Sequence, residues 1–467
     1  MITISRPPVL KLMPLALALI LAGCMVGPDY RRPAMTVPLE YKQAKGWTQA
    51  APRDQAAKGE WWAVYRDPTL SGLLSQVRIS NQNVAQYEAL YRQARALTAG
   101  SRANLYPTVS ADAGTTRSGT QTSTTTAHTA QVSAGWELDL WGKLRRTVEE
   151  NQANAQASAA ELANITLSAQ SELAQDYFQL RVMDEQIALY QESVEAYQRY
   201  LSIIDNKYRA GSESRGTLAQ AQTQLESARA SALDLQWQRA QLEHAIAVLI
   251  GRSPAQFSLP AARLTASLPA IPAALPSQLL QRRPDIAYAE RGVAAANAAV
   301  GVAQAAYYPD LTLSASGGFQ SSTLHNLISL PNRVWSLGPE LSGTLLDFGA
   351  TKASVEQARA AYDASVASYR QSVLSAFEEV ENYLVELSTL EAETAAQQRA
   401  AESAQESARV TLNQYRAGMI DYLDVATTQN TSLSQRQNLL SLRSTQWVAS
   451  VQLIVALGGG WHDEDRR

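Results

Sequence analysis

The sequence predicts an α+β membrane protein built as two tandem structural repeats. Very long coiled-coil helices alternate with four β-strands per chain, and the strands pool between copies into a closed barrel. Three observations carry this. Motifs recur in the same order in the two halves, apolar residues repeat every three and four positions over unusually long stretches, and four stretches alternate with period two.

The repeat is explicit. Lys207-Tyr208-Arg209-Ala210-Gly211 returns as Gln414-Tyr415-Arg416-Ala417-Gly418, and Leu105-Tyr106-Pro107 returns as Tyr307-Tyr308-Pro309. Leu138-Asp139-Leu140-Trp141-Gly142 returns as Leu346-Asp347-Phe348-Gly349, and Leu249-Ile250-Gly251 as Ala456-Leu457-Gly458. Chain length alone suggests about three domains, but the repeat reduces this to two copies of one unit.

Each copy starts with a helical stretch, about 68–104 and then 277–306, that ends just before a proline. Two alternating strands follow. In the first of each pair, Val109, Ala111 and Ala113 alternate with Ser110, Asp112 and Gly114, and Leu311, Leu313 and Ala315 do the same. In the second, Trp136, Leu138 and Leu140 alternate with Glu137 and Asp139, and Trp335, Leu337, Leu341 and Leu345 keep even spacing. Thr120–His128 and Ser321–Leu330 read as the loops between them, polar at their starts.

A helix of roughly 65 residues then runs over about 143–209, and again over about 350–416, a length on the order of 100 Å. Ile187, Tyr190, Val194, Tyr197, Leu201, Ile204 and Tyr208 step by three and four, as do Tyr362, Val366, Tyr369, Val373, Ala376, Val380, Tyr383, Leu387 and Leu390. That spacing is the coiled-coil seam. Gly211 and Gly418 end these helices, and shorter helices return over about 217–250 and 421–457.

The N-terminus reads as an address. Arg6 and Lys11 precede a short apolar run from Leu12 to Ala22, too short for the ~20 residues that span a bilayer. Leu21-Ala22-Gly23-Cys24 resembles the bacterial lipobox, which implies cleavage before Cys24 and lipid on its sulfur and amine. Met25 follows Cys24 rather than Asp, which by analogy favours the outer membrane. No other stretch is long and apolar enough for a transmembrane helix, so a membrane crossing must be a closed barrel.

Composition removes other classes. The net charge is −3, with 40 basic and 43 acidic residues, which gives no support for a nucleic-acid partner. Cys24 is the single cysteine, so an internal disulfide framework is excluded and a cysteine nucleophile is not expected. His128, His244, His325 and His462 are scattered, so no metal site is expected. Gly142-Lys143 lacks the spacing and the Ser or Thr of a phosphate-binding loop, and no catalytic constellation or cofactor site appears. In Arg282-Arg283-Pro284-Asp285, Pro284 and Asp285 suit the start of a helix better than a ligand site.

Four strands cannot close a membrane barrel alone. Three copies supply twelve, an even number within the known range. The same symmetry pools the helices into a tube continuous with the pore.

The lipobox, Gly27-Pro28-Asp29-Tyr30 with Arg32-Pro33, Trp61-Trp62, Trp136-Glu137-Leu138-Asp139, Arg282–Ile286, Ala305–Pro309 and Ala456–Trp461 together resemble the outer-membrane factor family. These are the TolC- and OprM-type exit ducts of tripartite efflux systems, here the NodT-like lipoprotein branch. The resemblance implies a homotrimer with a twelve-stranded outer-membrane β-barrel and a periplasmic α-barrel. It also implies docking to a periplasmic adaptor and an inner-membrane pump, commonly of the RND class. The expected function is a passive, non-enzymatic conduit for drugs or other small toxic compounds. The competing expectation is a non-porous lipoprotein scaffold spanning the periplasm, which has no use for repeated apolar-faced strands.

On this reading the chain divides into a signal peptide (1–23), an N-terminal extended segment (24–66), repeat one (67–251), a linker (252–276), repeat two (277–461) and a tail (462–467). The turns Tyr208–Leu218 and Tyr415–Leu423 form the periplasmic tips. Family resemblance implies that tip residues, here Tyr208, Arg209, Gly211, Tyr415, Arg416 and Gly418, meet the adaptor. Asp421 and Asp424 lie three apart, on one helical face if the helix begins there, and are the gate candidates. In copy one, Glu213 stands beside Arg215, whose charge can offset it. Leu423 matches the position of an apolar constriction in related lipoprotein ducts. Thr427 stands where the family places a further acid, a departure that puts a copied acidic ring in doubt.

Overall fold

The computed structural model describes residues 25–38, 41–42, 60–264, 268–269 and 282–459. Cys24, the signal peptide and the C-terminal tail lie outside them. The elements run in two parallel series: α1 (Pro68–Ser80), α2 (Gln82–Ala103), β1 (Thr108–Gly119), β2 (Thr124–Leu138), α3 (Lys143–Arg209) and α4 (Arg215–Leu249), then α5 (Pro284–Ala305), β3 (Asp310–Ser321), β4 (Arg333–Ser342), α6 (Ala350–Arg416) and α7 (Tyr422–Ala456). Corresponding helices match in length. α3 and α6 each have 67 residues, α4 and α7 each 35, and α2 and α5 each 22.

Two compact units divide the chain, and the long helices pass from one into the other. The first unit takes residues up to Met35, Ala89–Ala160 and Ile286–Ser372. It holds one antiparallel sheet in the order β1-β2-β3-β4. β1 and β4 each pair on one side only among the described residues, so both outer edges offer unused backbone groups. The segment after Cys24 is strapped onto the helices of this unit. Val26 N–H donates to the Trp141 carbonyl at 3.0 Å, Asn297 Nδ2 to the Pro28 carbonyl at 2.8 Å and Tyr30 Oη to Glu290 at 2.9 Å.

Arg146 is the centre of that strap. Its side chain is 1% exposed, and it donates to the Val26 and Gly27 carbonyls while pairing with Asp29 and Glu149. Gly27, at φ +98°, brings its backbone against Gly301, where a Cβ would collide. The Gly27-Pro28-Asp29-Tyr30 motif is therefore a docking strap.

The second unit takes Thr36–Glu88, Glu161–Asp285 and residues from Val373 on. Its core holds Trp61, Trp62, Tyr65, Leu70, Leu173, Phe178, Ile246 and Trp447. Phe178 stacks on Trp447 at 4.5 Å, and Tyr65 packs against both. The described part of the linker is held by a charge network. Arg239 bridges Asp184, Glu243 and the Leu259 carbonyl, and Arg181 donates to the Pro260 carbonyl. Arg283 sits at the start of α5, joined to Asp285, Glu379 and the Ala456 carbonyl.

Three expectations need correction here. The stretch 68–104 is two helices, because Asn81 is extended and caps α2. Its Oδ1 accepts from Asn83 and Val84 N–H, while its Nδ2 reaches the Leu249 carbonyl. Thr124–His128 are strand, not loop: the run of β-branched threonines pairs with Thr115–Gly119, which leaves a short turn. Leu140 and Leu345 lie beyond the ends of β2 and β4. The second loop, polar at its start as its sequence reads, turns apolar further on, with Leu324, Ile328 and Leu330 all exposed.

Candidate functional site: the helix tips and the two-faced sheet

In the second unit, both long helices end in the same way. Gly211 and Gly418 adopt φ +76° and +72°, a conformation that costs glycine little. Ser212 N–H returns to the Lys207 carbonyl and Met419 N–H to the Gln414 carbonyl, both at 2.9 Å. This six-to-one bond closes the helix end and aims the chain back. α4 then starts on Ser214, whose hydroxyl accepts from Thr217 N–H.

The two tips are tied together. Tyr415 Oη donates to Glu213 Oε1 at 3.0 Å, and Lys207 Nζ lies 4.3 Å from the Tyr415 ring and 3.9 Å from Glu213. Glu213 thus turns to Lys207 and Tyr415, in place of the expected offset by Arg215, because its own long helix offers the Lys207 ammonium and the neighbouring tip the Tyr415 hydroxyl. Tyr422 packs edge-on against Tyr415 at 5.9 Å, and its hydroxyl donates to Gln224. Burial holds the Tyr422 phenol up to about 12, helped by Tyr197 and Tyr200. Burial, then the bond to Glu213, lifts Tyr415 well above the usual phenol range.

The candidate tip residues are not equivalent. Tyr415 is 8% exposed, whereas its repeat mate Tyr208 is 38% exposed. Arg209 pairs with Asp205 at 2.7 Å, and Arg416 is exposed. α7 begins at Tyr422, so Asp421 is its N-cap and Asp424 lies in its first turn. The two are therefore not a pair within one helix. The Asp421 side chain makes no capping hydrogen bond, which leaves its carboxylate to solvent. Met419 and Leu423 are 70% and 59% exposed on the same turn.

In the first unit, the sheet sorts its side chains by face. Strand register places Val109, Val132, Trp136, Leu313, Trp335, Leu337 and Leu341 on one face. Ser110, Ser133, Ser316 and Ser336 lie on the other, paired across strands at 2.8 Å as Ser110–Ser133 and Ser316–Ser336. Trp335 and Leu337 are about three-quarters exposed in the single chain (74% and 75%). An apolar face of this extent must be covered by something other than water. No described helix is long and apolar enough to cross a membrane. No described group of His, Cys, Asp and Glu could hold a metal.

A sheet with one apolar face, joined to 67-residue helices repeated twice, defines an outer-membrane channel chain. The chain belongs to the outer membrane efflux protein family, whose model matches residues 73–252 and 275–459. The cation efflux system protein CusC of Escherichia coli O6:H1 is 30% identical over 459 residues, spanning 97% of this chain and 99% of CusC. The probable outer membrane lipoprotein SilC of Salmonella typhimurium is 29% identical over 457 residues, spanning 97% of this chain and 99% of SilC. The solved outer-membrane channel OprN superposes with a TM-score of 0.87 at 30% identity, covering 94% of this chain and all of OprN. The α+β tandem-repeat fold is thus that of an outer-membrane channel, and the chain is the outer-membrane duct of an efflux system.

Proposed function

We propose that three copies pool their sheets into a twelve-stranded barrel and their long helices into a periplasmic tube. The tube docks on a periplasmic adaptor and an inner-membrane pump of the RND class. The observation that carries this is the sheet itself. Among the described residues its β1 and β4 edges are unused, and one face is mainly apolar toward the helix end of the strands; closure with other copies satisfies both conditions in lipid. A non-porous scaffold would need neither.

In this reading Cys24 carries the lipid anchor; the described strap after it is fixed to the strand-to-helix junction through the Val26–Trp141 hydrogen bond. The tips, with Tyr208, Arg209, Gly211, Tyr415, Arg416 and Gly418, meet the adaptor. Asp421, Leu423 and Asp424 border the constriction, where acids repeated by threefold symmetry favour cations. The cargo is drugs or other small toxic compounds, and the cation efflux named for CusC fits an acid-lined path.

The test is complementation. Produced with an RND pump and its adaptor in a Gram-negative strain lacking its own ducts, the chain should restore tolerance to small toxic compounds. Unchanged sensitivity, with the trimer present in the outer membrane, would overturn the reading.

A further inference from the structure

The ionisable side chains of the strands are divided by face, the acids on one and the arginines and the histidine on the other. Asp112, Glu137, Asp310 and Glu340 all lie on the polar face, while Arg117, His128 and Arg333 all lie on the apolar one. The register fixes this. Arg117 opposes Thr126, His128 opposes Thr115 and Ser321, and Arg333 opposes Phe319, which in turn opposes Ala130. Arg117, His128 and Arg333 therefore sit on successive rows of the sheet, each about 7 Å from the next along the strand.

All three also lie toward the same end. Arg117 is near the close of β1, Arg333 opens β4, and His128 is in the first part of β2. This is the end that carries the hairpin loops and not the end that carries the helices. A basic side chain on a lipid-facing strand is costly at the bilayer midplane and nearly free at the interface. At the interface it meets headgroups. Among the described residues, neither Arg117 nor Arg333 takes part in a salt bridge with a carboxylate of the chain. His128 Nδ1 lies 2.7 Å from Thr115 Oγ1, which leaves its Nε2 for another partner.

We propose that Arg117, His128 and Arg333 form a rim that docks the phosphate groups of a phosphorylated lipid in the outward-facing leaflet. The inference rests on the barrel reading above and adds the partner of its outer edge. A guanidinium meets a phosphate through two parallel hydrogen bonds, which a lysine cannot reproduce. Closing the barrel sets β4 of one copy beside β1 of the next, so Arg333 and Arg117 of consecutive copies stand on neighbouring strands. Three such seams then hold the phosphates around the trimer, and the acids on the opposite face stay away from them.

The experiment is native mass spectrometry of the intact, detergent-purified protein with diphosphorylated lipid A and with the same lipid stripped of its phosphates. The wild type should retain the phosphorylated lipid about tenfold better, and Arg117→Gln with Arg333→Gln should remove that preference. Arg117→Lys with Arg333→Lys should keep part of it, and inorganic phosphate at the same concentration should not displace the lipid. Equal retention of the two lipids by the wild type, an undiminished preference in the glutamine variant, or displacement by inorganic phosphate would overturn the proposal. Bilayer conductance of the same samples separates the two readings. A conducting wild type without lipid preference sinks only the rim, whereas a wild type that forms no pore sinks the barrel.

Discussion

Tyr415, at the end of the second long helix, donates its phenolic hydrogen to Glu213 in the turn of the first, at 3.0 Å. The bond joins the two repeats where each reverses direction, and Lys207 closes it from the other side. Its partial burial makes it worth about 1.5 kcal/mol, the usual range for a hydrogen bond to a charged group. Tyr415→Phe keeps the ring packing on Tyr422 and removes only the bond. If the tips part when the duct opens, the open population should rise about tenfold. Single-channel recording reads this as more frequent openings, and an unchanged open probability would show that the bond serves stability alone.

Gly211 and Gly418 have open space where a Cβ would go, so substitution is opposed by backbone conformation and not by collision. Replacing either with alanine should cost about 1–2 kcal/mol in the tip. The double variant should lose most adaptor cross-linking while the protein still reaches the membrane. Intact cross-linking would remove these turns from the docking surface.

Asp421→Asn with Asp424→Asn removes two carboxylates per chain beside the exposed Leu423. A reversal-potential measurement across a salt gradient should show weaker cation preference. If preference and conductance stay the same, the two acids only favour the helix start, an effect of about 0.3–1 kcal/mol.

Asp176 lies half-buried on α3, and burial, then the neighbouring Glu172, pushes its carboxyl up to about 7 from an ordinary value of 3.8. The folded state therefore holds this proton more tightly than the unfolded chain does. That stabilisation is fully present below about pH 4 and is lost as the pH rises through about 7. Asp176→Asn should raise the melting temperature at pH 8 and leave it nearly unchanged at pH 4. An equal shift at both values would show that titration of Asp176 is not involved.

The long helices and their ends were legible because the information is local. A seam such as Tyr190, Tyr197 and Ile204 is buried as its spacing implies, and Gly211 and Gly418 stand where only a left-handed residue closes the helix. Tyr208 follows the same spacing and yet is exposed, whereas Tyr415 at the matching place is covered by Tyr422 and tied to Glu213. Asn81 reads as an ordinary helical position until its contact with the Leu249 carbonyl is seen. Arg146 looks like any basic residue in a helix's first turn, and its burial depends on a strap up to 120 residues earlier in the chain. At the candidate site, the acids and glycines were visible in the sequence. The Tyr415–Glu213 tie was not, since it depends on how the two turns meet.

If this chain forms a pore, the purified protein conducts in a planar lipid bilayer, where its current can be read channel by channel. Discrete, cation-preferring current steps from a species of three times the single-chain mass are expected. A correctly folded trimer that inserts and passes no current, even with Tyr415→Phe in place, would contradict the pore.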